Sequence, residues 1–418
     1  MAPHIATTPD VTSAGAPGYD VEAVRAHFPA LNQGAAHFDG PGGSLVPDVV
    51  GDAVRSTLVA AIANRGRVTA AECLADETVI AARRAVADLL GADDSGVVFG
   101  RSMTQLTFDF SRAIAKSWTP GDEVVVTRLD HDANVRPWVY AAQAAGATVR
   151  WAGFDRLTSE LTVDHVAEVM SDRTRLVAVT GASNLLGTRP PLRPISEITH
   201  DAGALFYVDG VHLTAHAAVD VDGFGADFFA CSPYKFLGPH CGALAGRLDV
   251  LEALRPDKLL PAPNHVPERF EHGTLPYELL AGTTAAIDFL ASLAPDDRAD
   301  RRRQLGAAMA AIEAHEDRLR RRIEDGLSHL PSVTRWSRAS LRTPTLLLTF
   351  EARTVPDAYR FLATRNINAP AGSFYAYEPA HWLGLGDEGG LRIGLAPYNN
   401  DEDVERLLDV LAAFLRAG

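Results

Sequence analysis

The 418-residue sequence lacks several features that would each point to a class of protein. No apolar run is long enough to span a membrane, and the first 18 residues, MAPHIATTPDVTSAGAPG, have no hydrophobic signal core. The three cysteines, Cys73, Cys231 and Cys241, form neither a disulfide framework nor a zinc-ligand spacing. A net charge of −14 disfavours nucleic acid, which needs clustered Lys and Arg. We expect a cytoplasmic protein without a metal site, membrane partner or nucleic-acid partner.

What the sequence does contain favours an α/β protein with two lobes. Hydrophobic residues make up 47% and charged residues 22% of the chain, and its length exceeds what one core usually serves. Near-continuous apolar runs alternate with helical or loop stretches, which predicts a mostly parallel sheet covered on both faces. The runs are GVVFG (96–100), EVVVTR (123–128), ATVRWA (147–152), RLVAVTG (175–181), ALFYVD (204–209) and ADFFAC (226–231).

The pattern changes in the last third of the chain. A long helix is predicted at about 296–329, followed by the apolar segments TPTLLLTFE, RNINAP and LRIGLAP and a final helix at 401–416. These segments indicate a smaller α+β unit. We therefore predict an N-terminal segment (1–35) that packs on the small domain, a large domain (36–290) and a small C-terminal domain (291–418).

Ligands of an open parallel sheet bind beyond the carboxyl ends of its strands, so polar residues at those ends are the candidates for chemistry. Ser102, Met103 and Thr104 follow the first run and begin a helix, where exposed N–H groups suit a phosphate. Ordinary helix capping is the alternative explanation. His131 follows another run, either as a polar turn residue or as a ring that stacks on a flat cofactor.

Three further strand ends carry polar side chains. Asn184 supplies an amide, and Asp209, followed by His212, supplies a carboxylate that would otherwise be a turn residue. Ser232 and Lys235 follow the last run, within ACSPYKFLGPHCGA, where Lys235 is the single charged residue. A lysine in apolar surroundings is costly unless its amine has a use.

Together these residues match the requirements of pyridoxal 5′-phosphate (PLP). Lys235 would bond covalently to the cofactor, Asp209 would keep the pyridine nitrogen protonated, and His131 would stack on the ring. We predict that these three residues are catalytic. Ser102, Met103 and Thr104 would contact the phosphate, and the substrate would be an amino acid.

The sequence resembles the class V aminotransferase family, and within it the cysteine desulfurase-like branch, over most of its length. The segments that carry the resemblance are DHDANVRPW with His131, SNLLGT with Asn184, VDGVH with Asp209, and SPYK with Ser232 and Lys235. The resemblance implies fold-type I, with a mostly parallel seven-stranded sheet in the large domain. It also implies a homodimer that shares its active sites across the interface.

The same resemblance implies roles for further residues. His212 stands where many desulfurases place a glutamine that touches the cofactor, and Tyr234 replaces a common histidine beside it. Thr274, in RFEHGT, would reach the phosphate of the partner subunit. Arg392, in LRIGLAPYNN, would bind the substrate carboxylate, with Asn184, Gly43 and Tyr375 also at the substrate.

One departure from the resemblance concerns the reaction. Desulfurases that form a persulfide carry a cysteine on a loop before the arginine, whereas residues 366–384 here contain none. Tyr375 and Tyr377 lie in that stretch, either as a proton donor or substrate wall or as packed aromatics. We therefore predict a C–S lyase that eliminates a thiol from a cysteine S-conjugate, in a thiol or specialised-metabolite pathway.

Other reactions stay open at this point. An aminotransferase, an epimerase, a decarboxylating or deaminating PLP enzyme and a non-catalytic binding scaffold are the alternatives. A nucleotide-dependent oxidoreductase is disfavoured, because GPGGSLVP (40–47) does not follow a strand or open a G-x-G-x-x-G helix.

Overall fold

The computed structural model describes residues 19–294 and 299–416. Predictions that fall on residues 1–18, 295–298 and 417–418 therefore lie outside the described residues. The strands of the described residues are β1 (Ala36–His37), β2 (Val97–Gly100), β3 (Glu123–Thr127), β4 (Thr148–Ala152), β5 (Thr174–Thr180), β6 (Leu205–Asp209), β7 (Phe228–Cys231), β8 (Gly242–Gly246), β9 (Val333–Arg335), β10 (Thr345–Phe350), β11 (Ile367–Asn368), β12 (Ala371–Gly372) and β13 (Gly390–Gly394).

The helices surround these strands in the order that the alternating pattern predicts. Those of the described residues are α1 (Val21–Arg25), α2 (Asp48–Leu58), α3 (Ala70–Leu90), α4 (Met103–Ala115), α5 (Arg136–Ala145), α6 (Val163–Ala167), α7 (Leu192–Asp201), α8 (Val221–Phe224), α9 (Leu248–Ala253), α10 (Tyr277–Ser292), α11 (Arg301–Ser328), α12 (Val355–Ala363), α13 (Tyr377–Trp382) and α14 (Asp401–Arg416).

The large sheet has seven strands in the order β2-β8-β7-β6-β5-β3-β4. Strands β7, β6, β5, β3 and β4 pair in parallel, and β8 runs antiparallel to both of its neighbours. The sheet buries apolar side chains on both faces, in two separate clusters. The predicted mostly parallel seven-stranded sheet is confirmed. The six apolar runs all form strands. The seventh strand, β8 (GALAG), does not correspond to any of these runs.

The C-terminal unit is α+β, as predicted. Its four-stranded antiparallel sheet has the order β12-β13-β10-β9. Helices α11, α12 and α14 pack with this sheet around a third apolar cluster. Helix α11 begins at Arg301, where the Asp300 side chain caps it by accepting the N–H of Arg303.

The N-terminal residues of the described chain contact the C-terminal unit. The Tyr19 hydroxyl donates to the carbonyl of Pro397 over 2.6 Å, and Arg25 pairs with Asp403 at 3.1 Å. Strand β1 pairs in parallel with β11, so the chain from residue 36 lies beside the small sheet before it enters the large domain. The division into 1–35, 36–290 and 291–418 stays a prediction.

None of the helices of the described residues is both long enough and apolar enough to cross a bilayer.

Candidate active site

A cavity opens at the carboxyl ends of the parallel strands, the edge at which ligands of such sheets bind. Eight of the predicted site residues line it, together with Pro41, Thr180, Ala182 and Val211. The eight are Met103, Thr104, His131, Asn184, Asp209, His212, Tyr234 and Lys235.

Lys235 follows β7 in a short 3-10 turn, and within the described residues its amine forms no ion pair. The Nζ atom donates to the backbone carbonyl of Pro41 and, over 2.9 Å, to that of Gly42. It also lies 4.6 Å from the centre of the Tyr234 ring. Burial, and then the positive charge of Arg392, lowers the pKa of Lys235 to about 7. In a large fraction of the molecules the Lys235 amine is therefore neutral and nucleophilic near neutral pH.

Asp209 ends β6 with a carboxyl group that is 4% exposed. One of its oxygens accepts the N–H of Val211 over 3.0 Å. Burial raises the pKa of Asp209 to about 6, against the lowering effects of that hydrogen bond and of Lys235. The carboxylate thus lies in a low-dielectric environment in which few groups balance its negative charge. A cationic ring N–H bound in the cavity would balance that charge.

His131 follows β3 and is neutral. Its Nδ1 accepts the N–H of Ala133 over 3.0 Å, which leaves the proton on Nε2. Burial, followed by the charges of Lys235 and Arg392, lowers the pKa of His131 to about 4. A neutral imidazole at the wall of the cavity offers a flat face to a bound ring.

The N-terminus of α4 forms another wall of the cavity. Ser102 is the N-cap, and its hydroxyl accepts the N–H of Gln105 over 3.1 Å, while Met103 and Thr104 face the cavity. Strand β8 approaches this turn so closely that a Cβ on Gly242 would lie 2.3 Å from the Ser102 carbonyl carbon. Ser232 is buried and does not line the cavity. The free N–H groups of a 13-residue helix suit a phosphate.

Arg392 lies on β13 beside the cavity rather than on its wall. Its guanidinium is 2% exposed, pairs with Asp39 at 2.8 Å, and donates to the carbonyl of Asn184 at 3.3 Å. The ring of Phe374 covers it, with 3.7 Å from the guanidinium carbon to the ring centre. The predicted carboxylate-binding arginine is thus already paired with an acidic side chain of the chain itself.

His212 is buried in the cavity wall. Its Nε2 lies 2.9 Å from the hydroxyl of Thr343 and 3.0 Å from that of Thr345. Burial, together with the neighbouring His216, holds the pKa of His212 well below its ordinary value. Within the described residues its Nδ1 has no partner, so one polar atom remains to meet a bound molecule.

Three more predicted residues do not line the cavity. Thr274 is exposed in the loop before α10, so within one chain it does not reach the site. Gly43 lies near the ring of Tyr234, since a Cβ there would be 3.4 Å from that ring. Tyr375 is 79% exposed, and its ring centre is 5.7 Å from that of His131.

Sequence reasoning missed the partners of the two cationic side chains. The Pro41 and Gly42 carbonyls hold Lys235, and Asp39 holds Arg392. The available signal was the stretch DGPGG, whose glycines permit a close approach of the backbone. Nothing local in that stretch indicates which side chains it meets.

The residues present fit PLP. A buried carboxyl with little charge compensation, a lysine amine of lowered pKa, a neutral aromatic ring and a helix N-terminus converge on one cavity. Asp209 would hold the ring nitrogen, Lys235 the reactive carbon, and Met103 and Thr104 the phosphate. Within residues 19–294 and 299–416, no cluster of three His, Cys, Asp or Glu is placed to hold a metal ion.

Comparisons with known proteins agree with this site. The family model described as aminotransferase class-V matches residues 36–407. An uncharacterised protein of Mycobacterium tuberculosis, MT3887, is 34% identical, with 94% of this chain and 99% of that protein covered. The aminotransferase-like protein FGM3 of Gibberella zeae is 30% identical, with 95% and 99% covered.

A solved structure is similar over the whole fold. The cysteine desulfurase CsdA of Escherichia coli superposes with a TM-score of 0.83 at 28% identity, covering 95% of this chain and 98% of that one. The chain therefore belongs to the class V aminotransferase family of PLP-dependent enzymes and is close to the cysteine desulfurases.

Proposed function

We propose that this protein is a C–S lyase that eliminates a thiol from a cysteine S-conjugate. This proposal is supported by one observation above all: the PLP-type site lies beside a turn, residues 373–376, that contains Phe374 and Tyr375 and no cysteine. Cys231 and Cys241 are buried, and burial raises the pKa of Cys241 to about 11. Cys73 lies on α3, outside the residues that line the cavity. None of these thiols is placed to accept sulfur.

Bound PLP supplies an electron sink for the bonds at the substrate Cα. Lys235 is the base that takes the α-proton, because its lowered pKa leaves about half of the amine neutral at pH 7. Asp209 keeps the ring nitrogen protonated through a charge-assisted hydrogen bond in a buried place. His131 is neutral, and its flat face holds the ring in position.

Binding of the amino acid falls to residues on the cavity wall and directly beside it. Asn184 and Arg392 lie together there, and a guanidinium binds a carboxylate through two parallel hydrogen bonds. Gly43 lies against Tyr234 and Tyr375 lies beside His131, so both would contact a substrate bound next to these two cavity residues. Thr274, exposed in its own chain, would complete the phosphate site of a partner subunit in a homodimer. Free cysteines suit a reducing compartment such as the cytoplasm.

The test is product analysis with purified, PLP-loaded protein and a series of S-alkyl and S-aryl cysteines. β-Elimination consumes one conjugate and one water, and releases one thiol, one pyruvate and one ammonia. Equal amounts of thiol and pyruvate are expected, and the Lys235→Ala variant should form neither. Persulfide formation on the protein, or an oxo acid that keeps its sulfur, would overturn the lyase assignment.

Aminotransfer is the second candidate. It is favoured by the 30% identity to the aminotransferase-like protein of Gibberella zeae over nearly the whole of both chains. The same incubation separates the two reactions, because aminotransfer leaves the C–S bond intact and stops after one turnover unless an oxo acid is added. An epimerase would instead change the chirality of recovered substrate.

A further inference from the structure

The surroundings of Arg392 leave little room for a second carboxylate. One Nη atom is 2.8 Å from Asp39 Oδ1, and the other is 3.3 Å from the carbonyl of Asn184. The Nε atom is buried and has no partner within the described residues. A substrate carboxylate that forms a bidentate pair with this guanidinium must therefore take the place of Asp39.

The turn that covers Arg392 is strained. Phe374 and Tyr375 have φ values of +55° and +57°, in the left-handed region that L-residues other than glycine rarely adopt. Two hydrogen bonds hold them there: the Asn184 side chain donates to the Phe374 carbonyl at 3.0 Å, and the Asp132 N–H donates to the Tyr375 carbonyl at 2.8 Å. Opening of this turn would release strain while it uncovers the guanidinium.

The fold gives Asp39 and Arg392 different freedom to move. Asp39 forms an isolated parallel bridge with Gly394, which brings it beside β13, yet 41% of its side chain is exposed. It can turn towards water without loss of solvation. Arg392 is 2% exposed and cannot follow. A buried guanidinium left without a partner is costly, so an arriving carboxylate is favoured over any neutral group.

We propose that Asp39 is a specificity-determining residue, an internal carboxylate that only an ionised substrate carboxylate displaces from Arg392, as the Phe374–Tyr375 turn lifts off the guanidinium. The site would accept free α-amino acids and reject their amides and esters. This proposal rests on the proposed function, because it takes the substrate to be an amino acid. It does not depend on which bond of the substrate then breaks.

The experiment measures binding without reaction. Isothermal titration calorimetry with PLP-loaded protein compares propionate with propionamide, which has nearly the same shape and no charge. The variants are Asp39→Asn, which keeps the shape but removes the competing charge, and Asp257→Asn, which makes the same change of net charge at a side chain that is 82% exposed and paired with Lys116. Asp39→Ser is the substitute should Asp39→Asn not fold.

The expected result is that Asp39→Asn binds propionate about tenfold more tightly than wild type, or about 1.4 kcal/mol. Propionamide should bind weakly to all three proteins, and Asp257→Asn should match wild type. In wild type, saturating propionate should also speed hydrogen exchange at the Ala376 amide, which donates to the Ser373 carbonyl in the closed turn.

Equal or weaker propionate binding by Asp39→Asn would overturn the proposal and show that Asp39 only supports Arg392. The same tightening in Asp257→Asn would also overturn it, since net charge would then be the cause. Unchanged exchange at Ala376 would refute the coupling to the turn. Because no bond breaks in these titrations, a failure here is distinct from a failure of the lyase assignment, which product analysis detects separately.

Discussion

Asp209 should destabilise the PLP-free protein, and its replacement by asparagine should stabilise that form. The carboxyl is 4% exposed and accepts one backbone N–H, from Val211. Asparagine has nearly the same shape, keeps an oxygen for this hydrogen bond and carries no charge. The same change should weaken PLP binding by at least tenfold, because the ring nitrogen loses its charged partner.

The size of the effect follows from the pKa of Asp209. Burial raises it from 3.8 to about 6 in the folded chain, so the folded state favours the protonated form. The stability associated with that form is present below 3.8 and is lost as the pH rises through about 6. With about 1.4 kcal/mol for each pKa unit, the loss is about 3 kcal/mol at pH 8 and about half of that at pH 5.

Urea unfolding of the PLP-free proteins, followed by tryptophan fluorescence at one protein concentration, measures this difference. Asp209→Asn should unfold with a free energy about 3 kcal/mol above wild type at pH 8, and the gap should shrink by about half at pH 5. Asp257→Asn, at an exposed side chain, is the control and should show no such gap. A gap that is absent, or equal at both pH values, would refute the argument that a buried charge is the cause.

Two further predictions follow from Lys235 and Gly242. The neutral fraction of an amine with a pKa of about 7 rises with pH, so the reaction of Lys235 with added PLP should be about fivefold faster at pH 7 than at pH 6 and nearly level above pH 8. A rate that keeps rising to pH 10 would contradict the lowered pKa of Lys235. The Lys235→Ala variant is the control and should show no visible absorption band with PLP. Gly242→Ala should lower the free energy of unfolding by about 1–3 kcal/mol and weaken phosphate binding, because its Cβ meets the Ser102–Met103 backbone. The matched Gly51→Ala change, on a helix with open space around the position, should stabilise by up to about 1 kcal/mol; equal effects of the two changes would show that the contact is unimportant.

The parts of the fold that could be predicted from sequence are those that local patterns encode. Strand β7 (Phe228–Cys231) and the part of β6 that precedes Asp209 contain no charged residue and are almost wholly buried, as expected for strands covered on both faces. The Asp300 cap and the apolar periodicity define helix α11 in the same local way. Strand β8 is not predicted because four of the five residues in Gly242–Gly246 are Gly or Ala, and their role depends on the close approach of α4.

In the candidate site, too, some features follow from local sequence and others only from tertiary contacts. Residues placed at strand ends, such as His131, Asp209 and Lys235, meet at one edge because parallel strands share their direction. The position of Arg392 beside Asn184 was suggested by resemblance, but its burial under Phe374 was not. The exposed position of Thr274 likewise leaves its proposed role to a partner subunit.

The sequence by itself determined the alternation of strands and helices, the lysine in apolar surroundings and the lack of a cysteine in the loop before Arg392, since each is a property of neighbouring residues. Only the tertiary structure decided the chemical state of these groups. Lys235 meets the Pro41 and Gly42 carbonyls, and Arg392 meets Asp39 across 353 positions of sequence. Desolvation and charge pairing depend on what lies nearby in space, and here the partners come from a segment that β1 and the Asp39–Gly394 bridge bring to the site.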